Sequence, residues 1–179
     1  MEFIWQPFSK HFNNSAQIYT YAMYDHYCYF DGFWWDDRFY GDSPVVDDPN
    51  LETFNADWKS DLILAKTYEM LDVYQGDHLL MTMGCDFTFA NARQNFLSYD
   101  RLINYFNDHY DNVTLIYSTP GTYLDAIRGQ NLSYPTKTDD MFPYADRENE
   151  FWTGYFTSRA NSKAQARDGQ ASLHAANKL

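Results

Sequence analysis

A chain of 179 residues is long enough for one domain with a core of its own, or for a piece of a larger one. A formal net charge of -12 argues against a nucleic-acid partner and against an anionic membrane surface, because both need a basic face. No apolar run reaches the length of a membrane-spanning helix, so membrane insertion is excluded, and Met1-Glu2-Phe3-Ile4-Trp5 lacks the basic and apolar regions of a signal peptide.

Residues 1–50 show no clear periodic element. Asn13-Asn14-Ser15 and Asp42-Ser43-Pro44 carry turn chemistry, with an aromatic run over 19–40 between them. The expectation is long loops with short ordered pieces, of the kind that lie over an active-site face. Over 56–74, Trp58, Leu62, Ala65, Tyr68 and Leu71 recur at helical spacing, and Gly76 stands where a C-terminal cap belongs. Residues 78–83 then form a nearly continuous apolar run, the pattern of a strand buried on both faces. A second helix is predicted over 92–107 with an inward stripe of Phe96, Tyr99, Ile103 and Phe106. Residues 113–117 repeat the buried-strand pattern. Thr119 and Pro120 then open a third helix that ends near Gly129. A polar tail over 162–179 reads as one more helix.

Helix, strand, helix, strand, helix in that order implies parallel strands joined by right-handed crossovers. Two strands cannot complete such a sheet. The predicted fold is therefore α/β, a partial parallel β/α barrel-like domain that is incomplete and carries a C-terminal helical tail. The division expected is 1–159 for this partial domain and 160–179 for the start of a helical segment.

Aromatic side chains make up 20% of the chain, which suits flat faces that stack on sugars, although most such rings serve packing. Cys28 and Cys85 are the only cysteines and show no zinc-binding spacing. They are open to three states: paired with each other, paired with cysteines elsewhere, or free. Sequons at Asn13, Asn112 and Asn131 permit a secretory or lysosomal route.

Asp86 is the leading candidate for chemistry. Gly84 lets the chain turn after the predicted strand, so Asp86 falls at the strand's carboxyl end, where reacting groups gather in parallel α/β folds. Phe87 and Phe89 are placed to desolvate its carboxyl. The alternative from the residues alone is an Asp that caps the following helix.

Four ordered motifs carry a resemblance. Met81-Thr82-Met83-Gly84-Cys85-Asp86-Phe87 contains a G-x-D-F segment. Leu115-Ile116-Tyr117-Ser118-Thr119-Pro120 with Tyr123 is similar to L-Y-S-T-P-x-x-Y. Lys137-Thr138-Asp139-Asp140-Met141-Phe142-Pro143-Tyr144-Ala145-Asp146 resembles K-x-D-D-F-F-P-Y-A-D, and a lysosomal-type segment runs from Phe151 to Arg159. Together they resemble the N-terminal catalytic domain of the glycoside hydrolase family 38 α-mannosidases.

The resemblance implies that Asp86 is the general acid/base. It implies that Trp152 lines the sugar pocket and that Tyr27 hydrogen-bonds near the acid/base, although Tyr29-Phe30 replaces the usual Pro-Pro. It implies a retaining α-mannosidase that removes terminal α-linked mannose from N-glycan oligosaccharides, in the lysosome or secretory pathway. Zn2+ is the implied cofactor. Its ligands and the nucleophilic Asp are expected outside this chain, since His11, His26, His78, His109 and His174 show no ligand spacing, and the chain alone is expected to be inactive. Asp139, Asp140, Asp146 and Arg147 read as a structural ion-pair and turn network. The competing reading is a non-catalytic carbohydrate-binding or interaction module built on the aromatic loops.

Overall fold

The computed structural model describes residues 1–12, 15–28, 30–35 and 41–178. The sequon at Asn13 and part of the aromatic run, at Tyr29 and 36–40, lie outside the described residues. Two compact units are distinguished, Met1–Lys137 and Thr138–Leu179. The architecture is mixed α/β.

In the first unit, β1 (Glu2–Trp5) is followed by the single turn α1 (Ser9–Phe12) and by β2 (Ile18–Tyr21). β1 pairs antiparallel with β2, from Glu2↔Tyr21 to Trp5↔Ile18, and parallel with β3 (Thr136–Lys137), giving the order β2-β1-β3. β1 and β2 are short ordered pieces of the kind expected among the loops of residues 1–50. Four residues are too few for a period-two signal to stand out, and β1 finds one of its partners only at Ile4↔Thr136.

Three helices follow: α2 (Ala56–Leu71), α3 (Ala92–His109) and α4 (Pro120–Arg128). The Thr119 hydroxyl accepts from Thr122 N at 3.2 Å, so α4 begins on the predicted cap with Pro120 in its first turn. Gly76 lies beyond the end of α2 with φ +81. A Cβ there would meet Gln130 Oε1 at 2.0 Å and Leu132 Cδ1 at 2.8 Å, so the turn needs glycine for both backbone and space.

The face that α2 turns inward differs from the one its apolar spacing predicts, whereas α3 buries Tyr99 and Phe106 of its predicted stripe. In α2 the buried side chains are Ala56, Lys59, Ser60, Ile63, Thr67 and Met70, whereas Trp58 is 44% exposed. In α3 they are Asn95, Ser98, Tyr99, Leu102 and Phe106, while Phe96 is 49% exposed. The cause is the irregular chain over 30–35 and 41–46, which packs Phe33, Trp35 and Val45 into the core. A buried segment without a ladder must find partners for its backbone groups. Lys59 Nζ donates to Gly32 O at 2.6 Å, Gln94 Nε2 to Trp35 O at 2.9 Å and Arg101 Nη1 to Val45 O at 2.9 Å. Val46 N donates to Asn55 Oδ1 at 2.8 Å, and Val45 N to Ser98 Oγ at 3.4 Å. Among these polar groups, Lys59 rotates α2 away from its most apolar stripe.

Residues 78–83 and 113–117, both predicted as strands, carry no ladder among the described residues, and no closed barrel forms. A strand of that pattern needs a neighbour on each edge, and here none is present. Met81, Met83, Val113 and Leu115 still pack against the core. These segments border an open groove of about 900 Å³, lined by Ile63, Leu80, Phe96, Leu115 and Tyr123 among others.

The second unit holds an antiparallel pair, β4 (Ala145–Arg147) and β5 (Glu150–Phe151), then a 3-10 turn at Gly154–Phe156 and the helix α5 (Ala160–Ala176). The tail is thus helical, and none of its helical residues is buried. Arg147 Nε lies 3.9 Å from Asp146 Oδ2 in an exposed pair, and Tyr144 donates to Asp146 Oδ1 at 3.3 Å. No helix among the described residues is long and apolar enough to cross a membrane.

Candidate active site

Two lengths of chain, one following β2 and one leading to α3, run side by side in the first unit. Tyr21 donates to Leu80 O at 2.7 Å, Thr82 Oγ1 to Met23 Sδ at 3.4 Å, and Tyr27 OH to Asp86 Oδ1 at 2.8 Å. All three pairs are separated by 59 residues. A constant offset means that the two segments run parallel, joined by side chains instead of by a ladder. A disulfide between Cys28 and Cys85 closes the run.

Asp86 is displayed by a tight turn. Gly84 takes φ +147, a conformation that favours glycine. Cys85 N donates to Thr88 Oγ1 at 2.9 Å, and the same hydroxyl donates back to Cys85 O at 2.9 Å. Phe87 and Phe89 both adopt left-handed φ, near +60 and +61. Bulky residues hold such angles only where their surroundings enforce them, and those places are often functional.

Asp86 itself is exposed and Phe87 is 69% exposed, so the expected desolvation by the flanking rings is absent. Phe89 packs near Phe96 and Tyr99. The capping alternative falls as well, since Asn91 precedes α3 at its N-terminus.

Tyr27 and Asp86 are therefore brought together. The His26 ring lies 4.2 Å from that of Tyr27. Trp152 belongs to the second unit. There its indole is 55% exposed, its backbone N donates to Tyr144 O at 3.0 Å, and its ring meets the edge of Tyr144 at 6.2 Å.

Cys28, Cys85 and Thr88 are site-shaping residues that sequence reasoning missed. The available signal was adjacency, because each cysteine directly neighbours one member of the Tyr27–Asp86 pair. Among the described residues, no three His, Cys, Asp or Glu side chains converge to hold a metal ion. The described residues therefore do not compose a zinc site.

The Glycosyl hydrolases family 38 N-terminal domain matches residues 1–147. The chain is 39% identical over 176 residues to a lysosomal α-mannosidase of Dictyostelium discoideum, covering 97% of this chain and 17% of that protein. It is 38% identical over 168 residues to an α-mannosidase of Arabidopsis thaliana, covering 94% and 16%. It is 36% identical over 182 residues to a lysosomal α-mannosidase of Cavia porcellus, covering 100% and 18%. The chain thus spans less than a fifth of the length of these curated relatives. On the extent of these matches, the chain belongs to glycosyl hydrolase family 38 through its N-terminal domain.

Proposed function

We propose that this chain supplies the general acid/base, Asp86, of a retaining α-mannosidase that removes terminal α-linked mannose from N-glycan oligosaccharides. The observation that carries the reading is the Tyr27 hydroxyl resting 2.8 Å from Asp86 Oδ1 on the strained G-x-D-F turn. With Oδ1 engaged, Oδ2 is the oxygen that presents the proton. It protonates the glycosidic oxygen as the bond to the anomeric carbon breaks and a second carboxylate attacks that carbon. The resulting Asp86 carboxylate then takes a proton from water, which attacks the glycosyl intermediate and releases mannose.

Trp152, open to solvent, offers an aromatic face to the pyranose. Residues 1–159 form part of a parallel β/α barrel-like catalytic domain, and 160–179 open a helical segment. The nucleophile and the zinc ligands lie on other residues of the parent protein, so the isolated chain is inactive. The lysosome or secretory pathway is the compartment. The Cys28–Cys85 disulfide and the exposed sequons at Asn112 and Asn131 support that route.

The test is Asp86→Ala in the complete protein. Turnover of a mannoside falls by ~10²–10⁴-fold while sugar binding survives. Near-normal hydrolysis by that variant sinks the assignment, and mannose binding with no hydrolysis in the wild type marks a binding module instead.

A further inference from the structure

We propose that the Cys28–Cys85 disulfide is a positioning bridge for proton transfer, holding the Tyr27 hydroxyl against Asp86. The inference rests on the reading of Asp86 as the acid/base. Each cysteine is the immediate chain neighbour of one partner, so the covalent link lies one residue from the hydrogen bond.

The need for such a link follows from the surroundings. Elsewhere along the run the two segments are joined by single side-chain contacts, from Tyr21 to Leu80 O and from Thr82 to Met23. Hydrogen bonds of that kind exchange with water at little net cost. Asp86 is exposed, Tyr27 is 43% exposed and Phe87 is 69% exposed. Burial therefore does not fix the pair, and the bridge does.

The same link immobilises the peptide that enters the turn. Cys85 is tied through its sulfur to Cys28, and through its N–H and carbonyl to Thr88. Asp86 follows directly, so its backbone is fixed from one side by a covalent bond and from the other by a closed turn. Proton transfer depends on such placement, since a displacement of ~1 Å costs on the order of 10²-fold in rate.

The test separates positioning from general stability by the leaving group. In the full-length protein, Cys28→Ser with Cys85→Ser lowers kcat/KM about tenfold or more on a methylumbelliferyl mannoside, whose departure needs protonation, with ~10² as the ceiling for full misplacement. On a dinitrophenyl mannoside, which departs without a proton, kcat/KM reports the glycosylation step alone and stays within about twofold of wild type in the same variant.

A dithiol reductant followed by alkylation gives the same selective loss in the unsubstituted protein, which covers the case of a double variant that does not fold. Equal losses on both substrates, or none on either, overturn the bridge. Asp86→Asn is run alongside. If it abolishes methylumbelliferyl mannoside hydrolysis while the double serine variant behaves as wild type, only the bridge proposal fails. If Asp86→Asn remains active on that substrate, the acid/base reading fails first.

Discussion

Glu2 and Tyr123, 121 residues apart, meet through a 2.7 Å hydrogen bond from the tyrosine hydroxyl to Oε1. The same buried carboxylate accepts from the Tyr19 hydroxyl and, at Oε2, from Gln75 N at 3.0 Å. One side chain thus ties β1 to β2, to the chain after α2, and to α4.

Glu2→Ala leaves two hydroxyls and one backbone N–H without their acceptor. Each stranded donor costs about 1–3 kcal/mol, so a loss of roughly 3 kcal/mol or more in unfolding free energy is expected. Glu2→Gln preserves the shape and one acceptor oxygen, and should cost about 1 kcal/mol. Urea denaturation of both variants checks the order. Equal stabilities would show that the charge and its lone pairs contribute nothing.

Lys59 sets two effects against each other. Burial lowers its pKa, with the charge of Asp42 acting in the opposite direction. Yet its ammonium donates to Gly32 O and lies 4.4 Å over the Trp58 ring. We expect the contacts to win: Lys59→Met should lower stability by about 1–2 kcal/mol, from the lost donor and the lost cation–π contact. A raised thermal midpoint would mean that desolvation outweighs them.

The first unit is lined with tyrosines whose hydroxyls hold their protons tightly. Burial, followed by hydrogen bonding to Glu2, raises the pKa of Tyr19 and Tyr123, and burial raises that of Tyr21 and Tyr74. Tyr110 is pushed up to about 12 by desolvation and then by its hydrogen bond to Asp61. Folded values above the ordinary 10.0 mean that the folded state keeps protons the unfolded chain has released. Their stabilising contribution is therefore complete below pH 10 and is lost as the pH climbs through the folded values. Denaturation midpoints compared on either side of pH 10, with tyrosinate absorbance followed in parallel, should show a steep alkaline decline. A flat profile would contradict this.

Tyr27→Phe removes the hydroxyl from Asp86 without disturbing the fold. A bond to a carboxylate of this kind is worth about 1.5–3 kcal/mol, so the full-length protein should lose roughly tenfold or more in kcat/KM on mannosides with poor leaving groups. Unchanged kinetics would leave the contact without a role.

What the residues disclosed depended on how local the determining physics is. Helices α2, α3 and α4, and the Thr119 cap, depend on neighbours a turn away and were legible. The inward face of α2 was not, whereas Tyr99 and Phe106 of the α3 stripe were; Lys59, Asn55 and Ser98 are buried as partners for the backbone over 30–35 and 41–46, a demand no helical spacing encodes. β1 and β2 are too short for a pattern, and β3 pairs across nearly the whole first unit. At the candidate site, the nearness of Tyr27 to Asp86 was legible through motif resemblance. The pairing of Cys28 with Cys85 was not, since two cysteines leave three states open.

The bond between those sulfurs encloses 57 residues of sequence separation. A protease that cuts the backbone once anywhere inside that loop severs the polypeptide without releasing either piece. Such a nicked molecule would migrate as intact on a non-reducing gel and fall into two bands only after reduction.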